Sequence, residues 1–251
     1  MYIDFHSHAK LTKKSEFSME HFMENMAVAM HEQLDAVVIT EHFNTKNYHD
    51  IYRELDNTFS YKGNYYEVGS LKVFSGMEID VKNGGHILFT GHRDDIKEIR
   101  RLLEPHTYEA NFIELEDLLT LGEERNCLMI GAHPFRESNS LHQHNPHTLK
   151  RMHAFDLNGK DLHTYGVSQM TEQVLRFANE LEMPVITGSD THYGIQYGCV
   201  RTKLDNECET ATDLIEAINT SKFSIHISNA LSTKVFSANT TKKALKKLMN
   251  V

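Results

Sequence analysis

The stretch Ala36-Val37-Val38-Ile39-Thr40-Glu41-His42 carries the pattern on which the fold turns. Its β-branched run reads as a buried strand, and it ends by presenting a carboxylate and an imidazole. The pattern recurs. Leu128–Ala132 is followed by His133, and Val185–Gly188 by Ser189, Asp190, Thr191 and His192. Residues 2–5 and 154–157 read as further short strands, and Phe223–Ile227 as a last one. Residues 72–81 and His86–Thr90 read as strands around the turn Asn83-Gly84-Gly85. Helical patterns fall between them, at 18–33 (with Ser18 as N-cap and acid in the first turn), 95–103, 113–125, 167–181 and Ala211–Asn219. Strand followed by helix, repeated about seven times, describes an α/β chain whose parallel sheet closes into a barrel. An open doubly wound sheet is the competing arrangement, but neither glycine fingerprint for nucleotide binding is present.

Around this frame the composition is that of an ordinary globular chain. Of 251 residues, 40% are hydrophobic and 24% charged, which excludes a disordered or fibrous protein. The length allows a substantial core without disulfide staples. No apolar run approaches the roughly 20 residues of a membrane span. Asp4 and two histidines stand where a leader would need its apolar region, so a cytoplasmic location and no membrane partner are expected. Four prolines and no Pro/Gly/Ser linker mark no boundary, and residues 1–251 read as one domain. Cys127, Cys199 and Cys208 are odd in number and lack CxxC spacing, which fits a reducing compartment and argues against thiolate-held zinc. A net charge of −9 repels phosphate backbones at long range, so long nucleic acid is not expected as a partner.

The unusual item is histidine, with 17 against 26 lysines and arginines. Histidines and carboxylates collect at strand ends. His6 and His8 close the first strand, and since residues two apart on a strand share a face, Asp4, His6 and His8 are expected on one side. His42 follows the second strand, Glu78 lies within the third, and His86 opens its partner. His133 and the pair Asp190 and His192 follow two more. In a parallel barrel the C-terminal strand ends ring one face, where active sites sit. A single strand-end histidine is ordinarily a cap or a surface residue; it is the whole set, with a glutamate in the middle, that points to metal. Such groups are costly to bury unpaired, and divalent ions remove that cost. A carboxylate such as Glu78 has one oxygen for each of two ions, and two-metal sites suit hydrolysis of phosphate esters and amides. Imidazole and carboxylate without thiolate favour zinc, manganese or iron. His142, His144, His147 and His153 follow no strand and read as loop or helix surface, with His142 or His144 placed to border a pocket.

Taken in order, His6-x-His8, Thr40-Glu41-His42, Gly76-x-Glu78, His86, Ala132-His133-Pro134 and Gly188-Ser189-Asp190-x-His192 resemble the motifs of the PHP (polymerase and histidinol phosphatase) family. The resemblance implies a distorted (β/α)7 barrel, a site for two or three divalent metal ions, and hydrolysis of phosphate esters. It implies that His6, His8, Glu78 and Asp190 hold one ion and that Glu78, His86 and His133 hold a second, with Glu78 bridging. His42 and His192 would be two ligands of a third. One departure is clear. Family members commonly carry an Asp or His shortly after the first motif, whereas residues 9–16 read Ala-Lys-Leu-Thr-Lys-Lys-Ser-Glu. The third ion is therefore expected to bind weakly unless Glu16 completes its site.

Phosphate binding also asks for nearby donors. Arg136, three residues past His133, can take phosphate oxygens in bidentate fashion. Asn158 and Lys160 follow a strand and are expected at the barrel mouth as substrate-binding residues, with Arg201 a weaker candidate. Lys13 and Lys14 read as solvated loop lysines. The expected function is a metal-dependent phosphoesterase that hydrolyses a small phosphate monoester or nucleotide with metal-activated water. Arg136 would spread transition-state charge, and His192 or Asp190 would pass a proton to the leaving oxygen. Two rivals remain. One is an amidohydrolase-type C–N hydrolase, although such enzymes usually bridge their metals with a lysine where this chain has Glu78. The other is a non-catalytic metal-binding regulatory module, against which the nearly complete ligand set counts.

Overall fold

The computed structural model describes residues 1–249. In chain order its elements are β1 (Tyr2–Ser7), α1 (Met19–His31), β2 (Ala36–Ile39), α2 (Tyr48–Thr58), β3 (Tyr61–Lys62), β4 (Tyr65–Val68), β5 (Leu71–Asp80), β6 (His86–Thr90), α3 (Arg93–Leu102), α4 (Leu115–Glu123), β7 (Leu128–Ala132) and α5 (Pro146–Leu149). There follow β8 (Ala154–Asn158), α6 (Gly159–Tyr165), α7 (Val167–Glu180), β9 (Val185–Gly188), β10 (Val200–Leu204), α8 (Ala211–Asn219), β11 (Phe223–Ile227) and α9 (Leu231–Met249).

Strands β1-β2-β5-β6-β7-β8-β9 form a nearly closed barrel-like sheet. β1, β2 and β5 run parallel, as do β7, β8 and β9. A parallel bridge from Ser7 to Thr191 joins the two ends. The α/β barrel expected from the sequence is the fold observed. One strand runs backwards: β6 is antiparallel to both β5 and β7. Asn83, Gly84 and Gly85, at φ 66°, 87° and 120°, turn the chain straight back on itself. His86 therefore opens its strand yet lies level with Asp80 and Ala132, at the end where the neighbouring strands finish.

Closure depends on a close approach. A Cβ on Gly188 would lie 2.3 Å from that of His6, so only glycine lets β9 come this near to β1. β1 is itself irregular, because its pairing with β2 shifts register between Asp4 and Ser7. The expected alternation of Asp4, His6 and His8 on one side is broken there. Asp4 is buried away from the histidine cluster, and its Oδ1 accepts the backbone N–H of His6 and of Ser189.

Inside the barrel, Ile3, Phe5, Val38, Phe74, Leu88 and Ile130 pack in one buried cluster, which Leu214 and Ile218 of α8 join. The opposite strand faces, including Val37, Val73, Ile87 and Phe155, pack against the helices. Each such side chain contributes about 1.5–3 kcal/mol when fully buried. Cys127, Cys199 and Cys208 are free and buried. Among the described residues, no helix is long and apolar enough to cross a membrane.

Candidate metal centre

Glu78, near the end of β5, is almost completely buried and stands among five imidazoles. Its Oε1 lies 3.5 Å from His6 Nε2 and 3.2 Å from His133 Nε2, and faces His86 Nδ1. Its Oε2 lies 2.8 Å from His42 Nδ1 and 3.6 Å from His8 Nε2. Asp190 Oδ1 stands 3.3 Å from His8 Nε2 and 4.0 Å from His6 Nε2. The His192 ring stacks on His8 with centroids 3.9 Å apart. All eight residues read as ligands from the sequence thus come together. Three groups have ligand atoms mutually within 4.8 Å: His6, Glu78 and His133; His6, His8 and Asp190; and His8, His42 and His192. The last group gives His42 and His192 a third imidazole, where two were expected.

The donors fit divalent cations. His6 Nε2, His8 Nε2, His42 Nδ1 and Glu78 Oε2 are buried without hydrogen-bond partners. Buried polar atoms are normally paired. His42 Nδ1 and Glu78 Oε2 are only 2.8 Å apart yet are not aligned to bond, as expected of two atoms aimed at a common third point. Nitrogen and oxygen ligands without thiolate suit zinc, manganese or iron. Backbone strain helps to aim two of them. His133 and Asp190, each just past a barrel strand, hold φ of 31° and 59°, at a cost of about 1–3 kcal/mol each.

Two carboxylates behind the imidazoles, Asp156 and Asp80, set the tautomers of His6 and His86, and neither stands out in the sequence as a site residue. His6 Nδ1 donates to Asp156 Oδ2 at 3.0 Å, which leaves Nε2 toward Glu78. His86 Nε2 donates to Asp80 Oδ1 at 2.8 Å, which leaves Nδ1 toward Glu78. Glu41 lies 3.8 Å from His8 Nδ1 and accepts the backbone N–H of Lys10 and of His42. The available signal was an acid inside an otherwise apolar strand: Asp156 interrupts Ala154, Phe155 and Leu157.

The electrostatics follow from this crowding. Burial alone would push the Glu78 carboxyl up, but His86, His42 and His6 outweigh it and hold it well below the usual carboxylate range. Burial opposes charge on His6 and His86 as well. Glu78 with Asp190 and Asp156 lifts His6 to about 10, and Glu78 with Asp80 lifts His86 to about 9. For His42, burial wins and brings it down to about 4. His133 and His192 are likewise held well below their ordinary value by burial, reinforced by Arg136 and by His8 respectively. The centre thus mixes charged and neutral imidazoles around ionised carboxylates.

Asp190 is held by two cations. Arg136 Nη1 donates to its Oδ2 at 3.0 Å and Lys160 Nζ to its Oδ1 at 2.6 Å. Burial would raise the Asp190 carboxyl, but Lys160 and Arg136 keep it well below the carboxylate range. Arg136 also donates to Asp161 and to Asn158 Oδ1, so its fork is occupied by protein. Asn158 is buried, and its Nδ2 donates to Asp156 Oδ2. It links Asp156 to Arg136 and does not face the barrel mouth. Lys160 does, with Nζ 3.3 Å from His192 Nδ1.

Other candidates lie elsewhere. Glu16 is exposed, pairs with Lys46 and accepts from Asn47 Nδ2 at 2.9 Å. Arg201 packs over Tyr2 and donates to Glu32 O. His142 donates to Pro134 O and stacks on Phe135. Lys13 pairs with Asp80 at 3.3 Å. A cavity of about 630 Å³, lined by Lys13, Asp80, Asn83, Phe112 and Ser138 among others, opens beside His86 and its partner Asp80, a volume in the range of small-ligand sites.

Residues 171–223 match the family model described as PHP-associated. With the barrel fold, this match bears out the resemblance to the PHP family read from the motifs. A search of curated proteins finds no match. Among solved structures, PsfC from Pseudomonas syringae PB-5123 shares the fold with a TM-score of 0.80 and 21% identity, over 97% of this chain and 98% of that one. The lesion-specific endonuclease Q from Pyrococcus furiosus shares it with a TM-score of 0.62 and 16% identity, over 90% of this chain and 58% of that one. A further endonuclease Q structure, in complex with a 27-mer duplex carrying an abasic lesion at the active site, matches with the same scores. An amidohydrolase from Chromobacterium violaceum with bound sulfate has a TM-score of 0.51 and 15% identity, over 91% of this chain and 99% of that one.

Proposed function

We propose that the chain, acting as one domain and in the cytosol, is a metal-dependent phosphoesterase that hydrolyses a small phosphate monoester or nucleotide. The observation that carries this reading is Glu78, a buried carboxylate with Oε1 toward His6, His86 and His133 and Oε2 toward His8 and His42. His6, His8, Glu78 and Asp190 would hold one divalent ion, and Glu78, His86 and His133 a second. His42 and His192, with His8 beside them, would hold a third. When bound, such ions bring the pKa of water toward neutrality and polarise a phosphoryl oxygen.

The chain's own groups supply the rest. Asp156 and Asp80 fix the tautomers of His6 and His86. Arg136 keeps Asp190 ionised and in place. Lys160 Nζ, at the mouth, would take a phosphate oxygen. With the third site empty, His192, held neutral, would accept the proton of the attacking water and return it to the leaving oxygen; Asp190 is the alternative carrier.

The endonuclease Q complex keeps nucleic acid within the range of substrates, against the expectation drawn from net charge. A charge of −9 sums the whole surface, whereas a bound substrate meets the local potential of the site. The amidohydrolase neighbour favours C–N hydrolysis as the second reading. Assays on metal-supplemented protein, over mononucleotides, sugar phosphates and histidinol phosphate with amide substrates alongside, separate the two. Phosphate release is expected. Amine or ammonia release without phosphate release would overturn the proposal.

A further inference from the structure

We propose that a lysine-lined pocket on the His42 and His192 side of the centre binds a second anionic group, a phosphate or a carboxylate, carried by the leaving part of the substrate. The inference rests on the phosphoesterase reading above. The pocket measures about 280 Å³ and is lined by Thr12, Lys13, Lys14, His42, His192, Lys242 and Lys246. Two of its walls are imidazoles of the candidate centre, so a molecule bound there adjoins the reacting region. Among the described residues, all the other charged lining groups are lysines and no carboxylate lines the pocket. In a chain of net charge −9 this is a local reversal of sign.

The lysines come from two separate parts of the chain. Lys13 and Lys14 lie in the loop after β1, and Lys242 and Lys246 lie one turn apart on α9. Like charges four apart destabilise a helix. Lys13 leans on Asp80, while among the described residues Lys14, Lys242 and Lys246 form no ion pair. Lys242 is half-buried. Burial, and then the charge of Lys160, disfavour its ammonium form. A bound anion offsets the repulsion and the desolvation together. Arg136 holds Asp190 and Lys160 would take the reacting phosphoryl group, so the three further lysines without ion pairs, Lys14, Lys242 and Lys246, exceed what one phosphoryl group requires. A second negative charge on the same substrate uses them.

Three ligands that cannot be hydrolysed test this on the metal-reconstituted protein by calorimetric titration: 3-phosphonopropionate, propylphosphonate and 3-aminopropylphosphonate. Each carries one phosphonate, with a terminal anion, neutral group or cation. The wild type is expected to bind the first about tenfold tighter than the second, and the third most weakly. In the Lys242→Gln/Lys246→Gln variant the order should flatten to within about twofold. A wild type without preference, or a preference that survives in the variant, overturns the proposal. The binding assay involves no hydrolysis. A charge preference that the variant abolishes, in a protein that releases phosphate from no ester, would sink the phosphoesterase reading and leave the anion pocket standing.

Discussion

His6 Nδ1 donates to Asp156 Oδ2 at 3.0 Å, with both side chains almost wholly excluded from solvent. A carboxylate cannot donate, so the bond fixes the imidazole with Nε2 toward Glu78. Partners of this kind orient a metal-ligating histidine and raise its basicity. Asp156→Asn keeps the volume and removes the charge. Metal affinity is expected to fall about 10–100-fold with the fold retained. Titration of zinc or manganese into the chelated protein measures it, and an affinity within about twofold of wild type would show that Asp156 is only structural.

Gly188→Ala probes closure of the barrel. The new methyl would sit 2.3 Å from His6 Cβ, and 3.1 Å from both His6 N and Asp156 Oδ1. β1 and β9 must separate, which parts His6 from Asp190. Overpacking of this kind costs about 1–3 kcal/mol. Urea denaturation should show that loss together with a drop in bound metal. Unchanged stability and unchanged metal content would mean that the strand ends can part without disturbing the site.

The ligand set was legible in the sequence because strand ends advertise themselves. His86–Thr90, Leu128–Ala132 and Val185–Gly188 are bounded as read, and their flanking residues fall where barrel geometry puts them. What escaped notice depends on tertiary partners. α2 buries Tyr48 and Tyr52, whose hydroxyls both donate to Gly76 O, at 3.1 and 2.8 Å. Without that carbonyl, residues 48–58 look like polar loop. α9 buries Leu231, Val235 and Ala238 in a run otherwise rich in Thr and Lys. β10 was readable, since it alternates between buried and more exposed positions, and it was overlooked. Asp4 was misplaced because strict alternation does not survive the register shift in β1.

Metal uptake should depend on pH in a set direction. His6 is raised from 6.5 to about 10 and His86 from 6.5 to about 9, so both carry protons at neutral pH in the metal-free chain. A metal ion displaces them. Apparent affinity should rise with pH, by up to about a hundredfold per unit below about pH 9 while both protons are being released, by about tenfold per unit between 9 and 10, and level off above about pH 10. The stabilisation these charged imidazoles give the metal-free chain is fully present below pH 6.5 and lost as pH rises through 9 to 10. Calorimetry in buffers of differing ionisation enthalpy counts the protons, and a count near zero would contradict the assignment.

Glu16→Gln should change little. Its carboxylate is exposed and committed to Lys46 and Asn47, so metal content and phosphate release should both stay within about twofold of wild type. Loss of one ion with most of the activity would show that the loop after β1 closes over the centre and delivers Glu16 to a third site.

The most direct test concerns Glu78. Its two oxygens face different sets of imidazoles, and an amide offers one good ligand oxygen where the carboxylate offers two. Metal content by elemental mass spectrometry, after reconstitution and desalting, should show at least two divalent ions per chain in the wild type. Glu78→Gln should lose at least one of them and essentially all phosphate release, with the circular dichroism spectrum preserved. A wild type holding one ion or none, or a Glu78→Gln protein that keeps the full complement, would contradict the bridging role on which the centre is built.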